Sequence, residues 1–195
     1  MKLYYGSTVE GLKELCPHIP IGAHSPKPLV YLSPTRQLAL HFIWDTQRLG
    51  VKMPMLDIRK DGTVAFQEMF SSALEYLYKG VSGYIYTCEA DYQPGEDFLS
   101  QCSIAVDTEI TVTDCEYIDD VYKHILRYAD QGKLIYEHYE DLPQWRLDLI
   151  RGQVLRRIKR YDLINDAAHP SRNFIRDNFP QYWAEAKVLS KHSLL

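Results

Sequence analysis

Two short segments near the start of the chain bring aromatic, glycine and hydroxyl residues together. The first contains Tyr5, Gly6 and Ser7, and the second contains Tyr31 and Ser33. A glycine at the end of a strand lets a ligand amide approach the backbone, where an N–H and a C=O offer a donor and an acceptor. Tyrosine can stack on a planar ligand, and serine can add a hydrogen bond. Residues of these types can bind a planar ligand, and they also occur in ordinary strands and turns.

Two later acidic residues are candidates for stabilising charge at such a site. Glu109 opens a predicted strand, and Asp97 lies in the polar loop 91–101. A carboxylate can stabilise positive charge that develops in a transition state. The simpler interpretation of both residues is an ordinary solvated carboxylate, and Tyr5, Gly6 and Ser7 can likewise be read as a strand followed by a turn.

Other common catalytic patterns do not occur in the sequence. The seven histidines show no H-x-x-x-H spacing, and the four cysteines form no C-x-x-C pair. Neither a G-x-S-x-G nucleophile motif nor a glycine-rich phosphate loop is present. We therefore expect no metal site. The cysteines are typical of reduced, mostly buried thiols, and no apolar run is long enough for a membrane span, so we expect a cytoplasmic protein without a membrane partner.

Charge is distributed unevenly along the chain. Residues 1–140 carry 12 Lys and Arg against 20 Asp and Glu, whereas residues 141–195 carry 10 against 6. The basic excess centres on Arg151, Arg156, Arg157, Lys159 and Arg160. Such a cluster can hold phosphates, which makes nucleic acid one candidate partner. A solvated helix face is the favoured interpretation, because the whole chain is acidic.

Hydrophobic periodicity predicts a strand-rich first part and a helical tail. Short apolar runs predict strands at 2–5, 29–32, 84–89, 103–106, 110–113 and 134–139, and the Asp61-Gly62 turn predicts a hairpin between 53–59 and 63–67. Helical spacing predicts helices at 9–15, 34–50, 71–79, 120–131, 143–163, 173–179 and 182–189. Ser33 and Asp119 are the expected caps of two of these helices. Apolar stripes on the tail helices need a partner, so we expect 118–195 to pack on 1–117 as one unit.

The order of the motifs resembles the ADP-ribosyltransferase superfamily, in the branch of the diphtheria-toxin-like and rifampicin-modifying enzymes. Those proteins end their first strand with Tyr-His-Gly-Ser or Tyr-His-Gly-Thr. They then have Tyr-x-Ser or Tyr-x-Thr before an alanine-rich helix, and later an acidic residue. The similar segments here are Tyr4-Tyr5-Gly6-Ser7 and Tyr31-Leu32-Ser33. The resemblance covers about residues 3–115.

The resemblance implies an α+β fold in which a split, twisted pair of β-sheets forms a cleft, with a C-terminal helical extension. It implies that NAD is a substrate, that ADP-ribose is transferred to an unknown protein or small-molecule acceptor, and that nicotinamide is released. Gly6 would clamp the nicotinamide amide and Tyr31 would stack on its ring. The family's late acidic residue would stabilise the oxocarbenium-like transition state. Glu109 is the first candidate for that role, and Asp97, in the loop after the 83–89 strand, is the second.

The chain departs from the family at Tyr5, where the family has a histidine that usually bonds the ribose. Tyrosine also donates a hydrogen bond, but it is longer and reaches a different place. Tyr5, Ser7 and Ser33 are therefore assigned more broadly, to contacts with the amide or the ribose. The departure keeps a second hypothesis open, a non-catalytic module that uses the same cleft to bind a protein, a nucleotide or a nucleic acid. Under either hypothesis we expect Tyr5, Tyr31 and Glu109 to lie around one cleft.

Overall fold

The protein has a mixed α+β fold, seen in a computed structural model that describes residues 1–19, 27–44, 55–90 and 104–192. The strands within these residues are β1 (Lys2–Ser7), β2 (Glu14–Leu15), β3 (Val30–Leu32), β4 (Met55–Ile58), β5 (Val64–Gln67), β6 (Gly83–Glu89), β7 (Ile104–Val106), β8 (Ile110–Ile118) and β9 (Ile135–Glu137). The helices are α1 (Arg36–Leu40), α2 (Ala73–Tyr78), α3 (Val121–Asp130), α4 (Gln144–Arg160), α5 (Ser171–Asn178) and α6 (Pro180–His192). Asp97 and Cys102 lie outside the described residues.

A curled antiparallel sheet forms the main layer, with the strand order β1-β6-β8-β2. β3 pairs with β7 and also lies beside both ends of the curl. His18, after β2, exchanges two backbone hydrogen bonds with Leu29, and Ser33, after β3, exchanges two with Tyr4 of β1. β3 therefore bridges the first and last strands of the curled sheet.

Every second residue of a strand points to the same side of its sheet. On the inner side of the curl these residues are apolar. Leu3 of β1, Val30 and Leu32 of β3 and Cys88 of β6 are buried together there. A separate three-stranded sheet has the order β4-β5-β9. Its β4–β5 hairpin confirms the turn predicted at Asp61-Gly62, where Gly62 has a φ of 84°. This left-handed backbone conformation favours glycine.

Four local predictions were wrong. The helix predicted at 34–50 is shorter, since α1 ends at Leu40 and residues 41–44 are not helical. Residues 9–15 do not form a helix, since Gly11 takes a φ of 73° and Leu15 pairs in β2 with Ile110 of β8. Thr35, not Ser33, caps α1, and its Oγ1 accepts a hydrogen bond of 3.3 Å from the Leu38 N–H. Asp120, not Asp119, caps α3.

Thiol burial also differs from the prediction. Cys16, Cys88 and Cys115 are free cysteines, as expected for reduced thiols. Cys88 is buried, but Cys16 and Cys115 are exposed. The prediction of mostly buried cysteines was therefore wrong for two of the three that the structure describes.

The described residues form two compact units. The first contains parts of 1–44, 56–66 and 75–136, and the second contains 67–74 and 137–192. Each has its own apolar core. In the second unit Met69 and Phe70 are buried with Ile150, Val154 and other residues of the tail helices. The unit boundaries fall at other positions than residue 117.

None of the described helices is both long enough and apolar enough to span a membrane.

Candidate functional site

The edges of β1 and β3 meet at one pair of residues and then face each other across a gap. The Tyr4 N–H donates to the Ser33 carbonyl at 2.9 Å, and the Ser33 N–H donates to the Tyr4 carbonyl at 2.6 Å. No other backbone hydrogen bond joins the two strands in the described part of the chain. Continuing this antiparallel register by two residues places Gly6 opposite Tyr31.

Both residues direct their backbone polar groups into the gap. Alternate residues of a strand bond toward the same edge, so the N–H and C=O of Gly6 face the side that Tyr4 uses, away from β6. The same rule orients Tyr31, which lies between Leu29 and Ser33 on one edge of β3. Neither residue has a described hydrogen-bond partner on its gap side. Because buried backbone groups are nearly always paired, this edge of the buried Gly6 is a candidate for binding a ligand with its own donor and acceptor.

Gly6 is also required by packing. A Cβ at this position would lie 2.0 Å from the Ala39 carbonyl oxygen and 3.1 Å from Ile43 Cγ1. The α1 backbone therefore packs directly against β1, on the face opposite Tyr5. The contact with α1 is enough to explain why residue 6 is a glycine, even if no ligand binds there. The backbone edge without a described partner is a separate property of Gly6.

A groove with a cavity volume of about 280 Å³ opens on the inner side of this gap. Its lining comes from β1, from β3 and from the segment around β2: Tyr5, Ser7, Val9, Leu12, Glu14, Leu15, Cys16, His18 and Val30. Tyr31 does not line it, because Tyr31 alternates with Val30 and Leu32, whose side chains are in the inner core. The gap thus has Tyr5 and Ser7 on its inner side and Tyr31 on its outer side.

Ser33 lies at the point where the two strands meet. Its side chain is 1% exposed, and its Oγ has no hydrogen-bond partner among the described residues. The hydroxyl is free for other contacts since Thr35 caps α1 instead. An unsatisfied buried hydroxyl is uncommon in proteins, and it adds a further polar atom beside the gap.

Glu109 lies beside the groove rather than in its lining. It is exposed, directly precedes β8, and its Oε2 accepts a hydrogen bond of 3.5 Å from the Cys16 thiol. Cys16 belongs to the groove lining, so the structure brings Glu109 to the edge of the same site as Tyr5 and Ser7. The hydrogen bond and the negative charge of Glu109 raise the pKa of the Cys16 thiol. Cys16 is therefore poorly suited to act as a nucleophile at neutral pH.

Tyr86, for which no site role was predicted, positions the far wall of the groove. Its hydroxyl donates to the Val9 carbonyl at 2.7 Å and accepts from the Leu12 N–H at 3.4 Å. These bonds hold residues 9–12 against β6.

Burial raises the pKa of Tyr5, so its hydroxyl remains neutral and can donate a hydrogen bond at physiological pH.

The end of α1 is held by a contact between the half-buried His41 and the buried Tyr78. His41 Nδ1 lies 3.1 Å from the Tyr78 hydroxyl, which also donates to the His41 carbonyl at 3.2 Å. Burial lowers the pKa of His41 to about 3, so the imidazole is neutral. This pair fixes the position of α1, which packs on Gly6.

The basic residues predicted as a phosphate-binding cluster all lie on α4. Arg151 forms an ion pair with Glu185. The other four line a concave cavity in the second unit: Arg156, Arg157, Lys159 and Arg160.

A group of possible metal ligands also occurs in the second unit. Donor atoms of Glu68, His138 and Glu140 all lie within 4.8 Å of one another. The buried Glu68 carboxylate already accepts hydrogen bonds of 3.3 Å from the Leu74 and Tyr139 N–H groups. The group is explained by these local bonds, and the absence of a metal site stays a prediction.

Comparisons with protein-family models, with curated proteins and with solved structures found no match to this chain. The functional assignment consequently rests on the geometry of the gap and the groove.

Proposed function

We propose that the protein transfers ADP-ribose from NAD to an acceptor and releases nicotinamide. The observation that carries this proposal is the free backbone edge of Gly6, which offers a donor and an acceptor side by side at the gap between β1 and β3. A carboxamide carries the complementary acceptor and donor, and can therefore pair with such an edge as a neighbouring strand would. The ADP-ribosyltransferase-like split sheet predicted from the motifs is part of this proposal.

The residues around the gap suit the rest of the nicotinamide riboside. In the proposed complex the Tyr31 ring lies on the outer side of the gap and stacks on the pyridinium ring. Ser7 lines the groove, and its hydroxyl, which accepts a hydrogen bond of 3.1 Å from the Val9 N–H, can donate to the amide or the ribose. Ser33, with its buried and unsatisfied hydroxyl, is the second proposed contact. Tyr5 takes the position of the ribose-bonding histidine, and its neutral hydroxyl donates a hydrogen bond there.

Glu109 is the proposed catalytic carboxylate. The bond between the ribose C1′ and the pyridinium nitrogen breaks, and its electron pair leaves with nicotinamide. Positive charge develops on the ribose, where a carboxylate at the groove edge stabilises it. The acceptor nucleophile then bonds to C1′ and loses its proton to water. Glu109 serves this role as an anion, and in the free protein it accepts the Cys16 thiol hydrogen bond instead.

The amide specificity of the gap is tested by comparing NAD with its nicotinic acid analogue in calorimetric titrations. The analogue replaces the carboxamide with a carboxylate, which cannot donate to the Gly6 carbonyl and is repelled by it. We expect NAD to bind and the analogue to bind at least about tenfold more weakly, the cost of one lost hydrogen bond that leaves the Gly6 carbonyl unpaired. Equal affinity for the two dinucleotides would contradict recognition by the backbone edge.

The stacking role is tested by Tyr31→Ala, with Tyr76→Ala as the matched control, since Tyr76 is an exposed tyrosine of α2. We expect Tyr31→Ala to raise the apparent KM for NAD more than it lowers kcat, because stacking holds substrate and transition state alike. Tyr76→Ala should leave both constants unchanged. A wild-type KM in Tyr31→Ala would remove Tyr31 from the site.

A second candidate function is a module that binds the dinucleotide without cleaving it. Two observations favour it: Tyr5 replaces the histidine, and the Glu109 carboxylate is engaged with Cys16. This function predicts NAD binding with no nicotinamide release. Tyr5→His introduces the histidine that the family has at this position. Stronger NAD binding by this variant would indicate that the side chain at position 5 contacts the ribose.

A further inference from the structure

The second unit contains a concave cavity of about 610 Å³ that the proposed NAD site does not use. One wall is a face of α4 that carries Gln153, Arg156, Arg157 and Arg160. These residues follow the i, i+3, i+4, i+7 spacing that places side chains on one helix face. Lys159 and the ring of Tyr161 extend the same wall at the end of the helix.

Three cations of this wall, Arg156, Lys159 and Arg160, have no ion-pair partner among the described residues. None of the described lining residues is acidic. Arg151, by contrast, lies on the same helix outside the cavity lining and is paired with Glu185. Part of the charge suits the end of a helix, where the dipole favours cations. The dipole does not account for the convergence of these cations on one concavity.

Apolar and aromatic side chains form the rest of the lining. Met69, Val154, Ile175 and Phe179 lie at the core side of the cavity. Arg157 is held over the Tyr161 ring, with its guanidinium carbon 5.6 Å from the ring centroid, and it also bonds Ser171 Oγ at 3.3 Å. The cavity therefore combines a cationic rim, a floor of nearly buried apolar side chains and the exposed ring of Tyr161.

We propose that this cavity binds a small molecule that carries a phosphate group on an aromatic body. Arg156 and Arg160 bind the phosphate, because the planar guanidinium pairs with two phosphate oxygens at once. The aromatic body lies against the Tyr161 ring, which is the exposed aromatic side chain of the lining.

The shape of the site favours a small ligand over a nucleic acid. Small-molecule pockets enclose about 300–1,000 Å³, which includes the volume of this cavity. A nucleic-acid surface, in comparison, has to follow a backbone over roughly 1,000 Å² or more of protein. The unpaired cations converge on one concavity, whereas the next basic residue along the helix, Arg151, is neutralised by Glu185.

The test is a calorimetric titration of the full chain with 1-naphthyl phosphate, the probe, at low salt. We expect saturable binding at one site per chain. Inorganic phosphate and 1-naphthol, which each carry half of the proposed chemistry, should bind at least about tenfold more weakly. Arg160→Gln should weaken binding of the probe about tenfold, as expected for one charge-assisted contact at an exposed position.

Two variants serve as controls. Arg151→Gln removes one positive charge from the same helix outside the cavity, and Tyr31→Ala alters the proposed NAD site; both should bind the probe as the wild type does. The proposal is overturned if no saturable binding occurs, or if Arg151→Gln weakens it as much as Arg160→Gln. It is also overturned if a 12-nucleotide single strand binds the protein and the probe does not displace it, which would make α4 a nucleic-acid contact surface.

Discussion

At the scale of single residues, Gly6 serves packing and the candidate site at once. Its missing side chain admits the Ala39 carbonyl, and by strand alternation its backbone polar groups face the same edge as those of Tyr4, which pairs with Ser33. The glycine in Tyr5-Gly6-Ser7 indicated that another group approaches the backbone closely, because a glycine inside a strand often marks such an approach. The sequence could not tell that the approaching backbone is that of α1, since this depends on the tertiary position of a helix more than thirty residues away.

Gly6→Ala is therefore expected to destabilise the protein. The new Cβ has to displace the α1 backbone, and overpacking of this kind costs about 1–3 kcal/mol of unfolding free energy. Gly152→Ala is the matched control, because its Cβ meets only Arg156 Nη1, at 3.6 Å, in the middle of a helix. It should be neutral or stabilising by about 0.5–1 kcal/mol. Urea unfolding of both variants measures the difference, and a Gly6→Ala variant as stable as the wild type would contradict the packing of α1 on β1.

The contact between Glu109 and Cys16 predicts a change in thiol reactivity. Glu109 raises the pKa of the Cys16 thiol, so Glu109→Gln should lower this pKa and increase the thiolate fraction between about pH 8 and 9. Iodoacetamide alkylation of Cys16, followed by mass spectrometry across this pH range, should be faster in Glu109→Gln. Glu75→Gln, which alters an exposed glutamate of α2, should match the wild type. Unchanged alkylation in Glu109→Gln would place the carboxylate away from the groove.

At the scale of elements, local signals predicted those strands and helices whose boundaries are set by nearby residues. The Asp61-Gly62 hairpin and the long helix α4 are examples. Residues 9–15 were mistaken for a helix, because Val9, Leu12 and Leu15 have helical spacing but Leu15 is buried by pairing with a strand almost a hundred residues later. The gap between β1 and β3 could not be predicted in detail, since it follows from the registers of Tyr4 with Ser33 and of His18 with Leu29.

The lowered pKa of His41, which contacts the buried Tyr78, predicts that the stability of the protein depends on pH. The folded pKa of His41 is about 3, well below its ordinary value of 6.5. Between these values the unfolded chain binds a proton that the folded protein does not, so stability is complete above about pH 6.5 and falls as the pH decreases. The slope approaches about 1.4 kcal/mol per pH unit for one such histidine.

Urea unfolding at several pH values from 7 to 4 measures this slope. His41→Gln keeps a polar partner for the Tyr78 hydroxyl but cannot titrate, so its stability should depend less on pH than that of the wild type. His18→Gln, which changes an exposed histidine, should keep the wild-type slope. Identical slopes for all three proteins would show that His41 is not held neutral in the folded state.

At the scale of the whole molecule, each compact unit has a core built from distant parts of the chain. Met69 and Phe70 of the second unit are buried against tail helices that begin more than seventy residues later. Val121 and Ile125 of α3 are fully buried in the first unit. The sequence predicted that the tail stripes need partners, but it could not identify Met69 and Phe70 as those partners.

A fragment of residues 1–117 should consequently fail to fold. It lacks Val121 and Ile125, and it exposes Met69 and Phe70, so several large apolar side chains lose their burial at about 1.5–3 kcal/mol each. Circular dichroism and solubility of the purified fragment test this, with the full chain as the control. A soluble fragment with a cooperative thermal transition would contradict the prediction.

Release of nicotinamide from NAD measures most directly whether the gap and groove hold NAD for cleavage. The wild type is expected to release nicotinamide above the buffer background. Glu109→Gln should lower the rate about a hundred- to a thousandfold while NAD affinity changes little, because the charge acts only when the ribose becomes cationic. Asp97→Asn tests the second carboxylate, and loss of release in that variant but not in Glu109→Gln would move the role to the loop. Wild-type protein that binds NAD yet releases no nicotinamide would contradict the transferase and leave the binding module, and protein that does not bind NAD would contradict both.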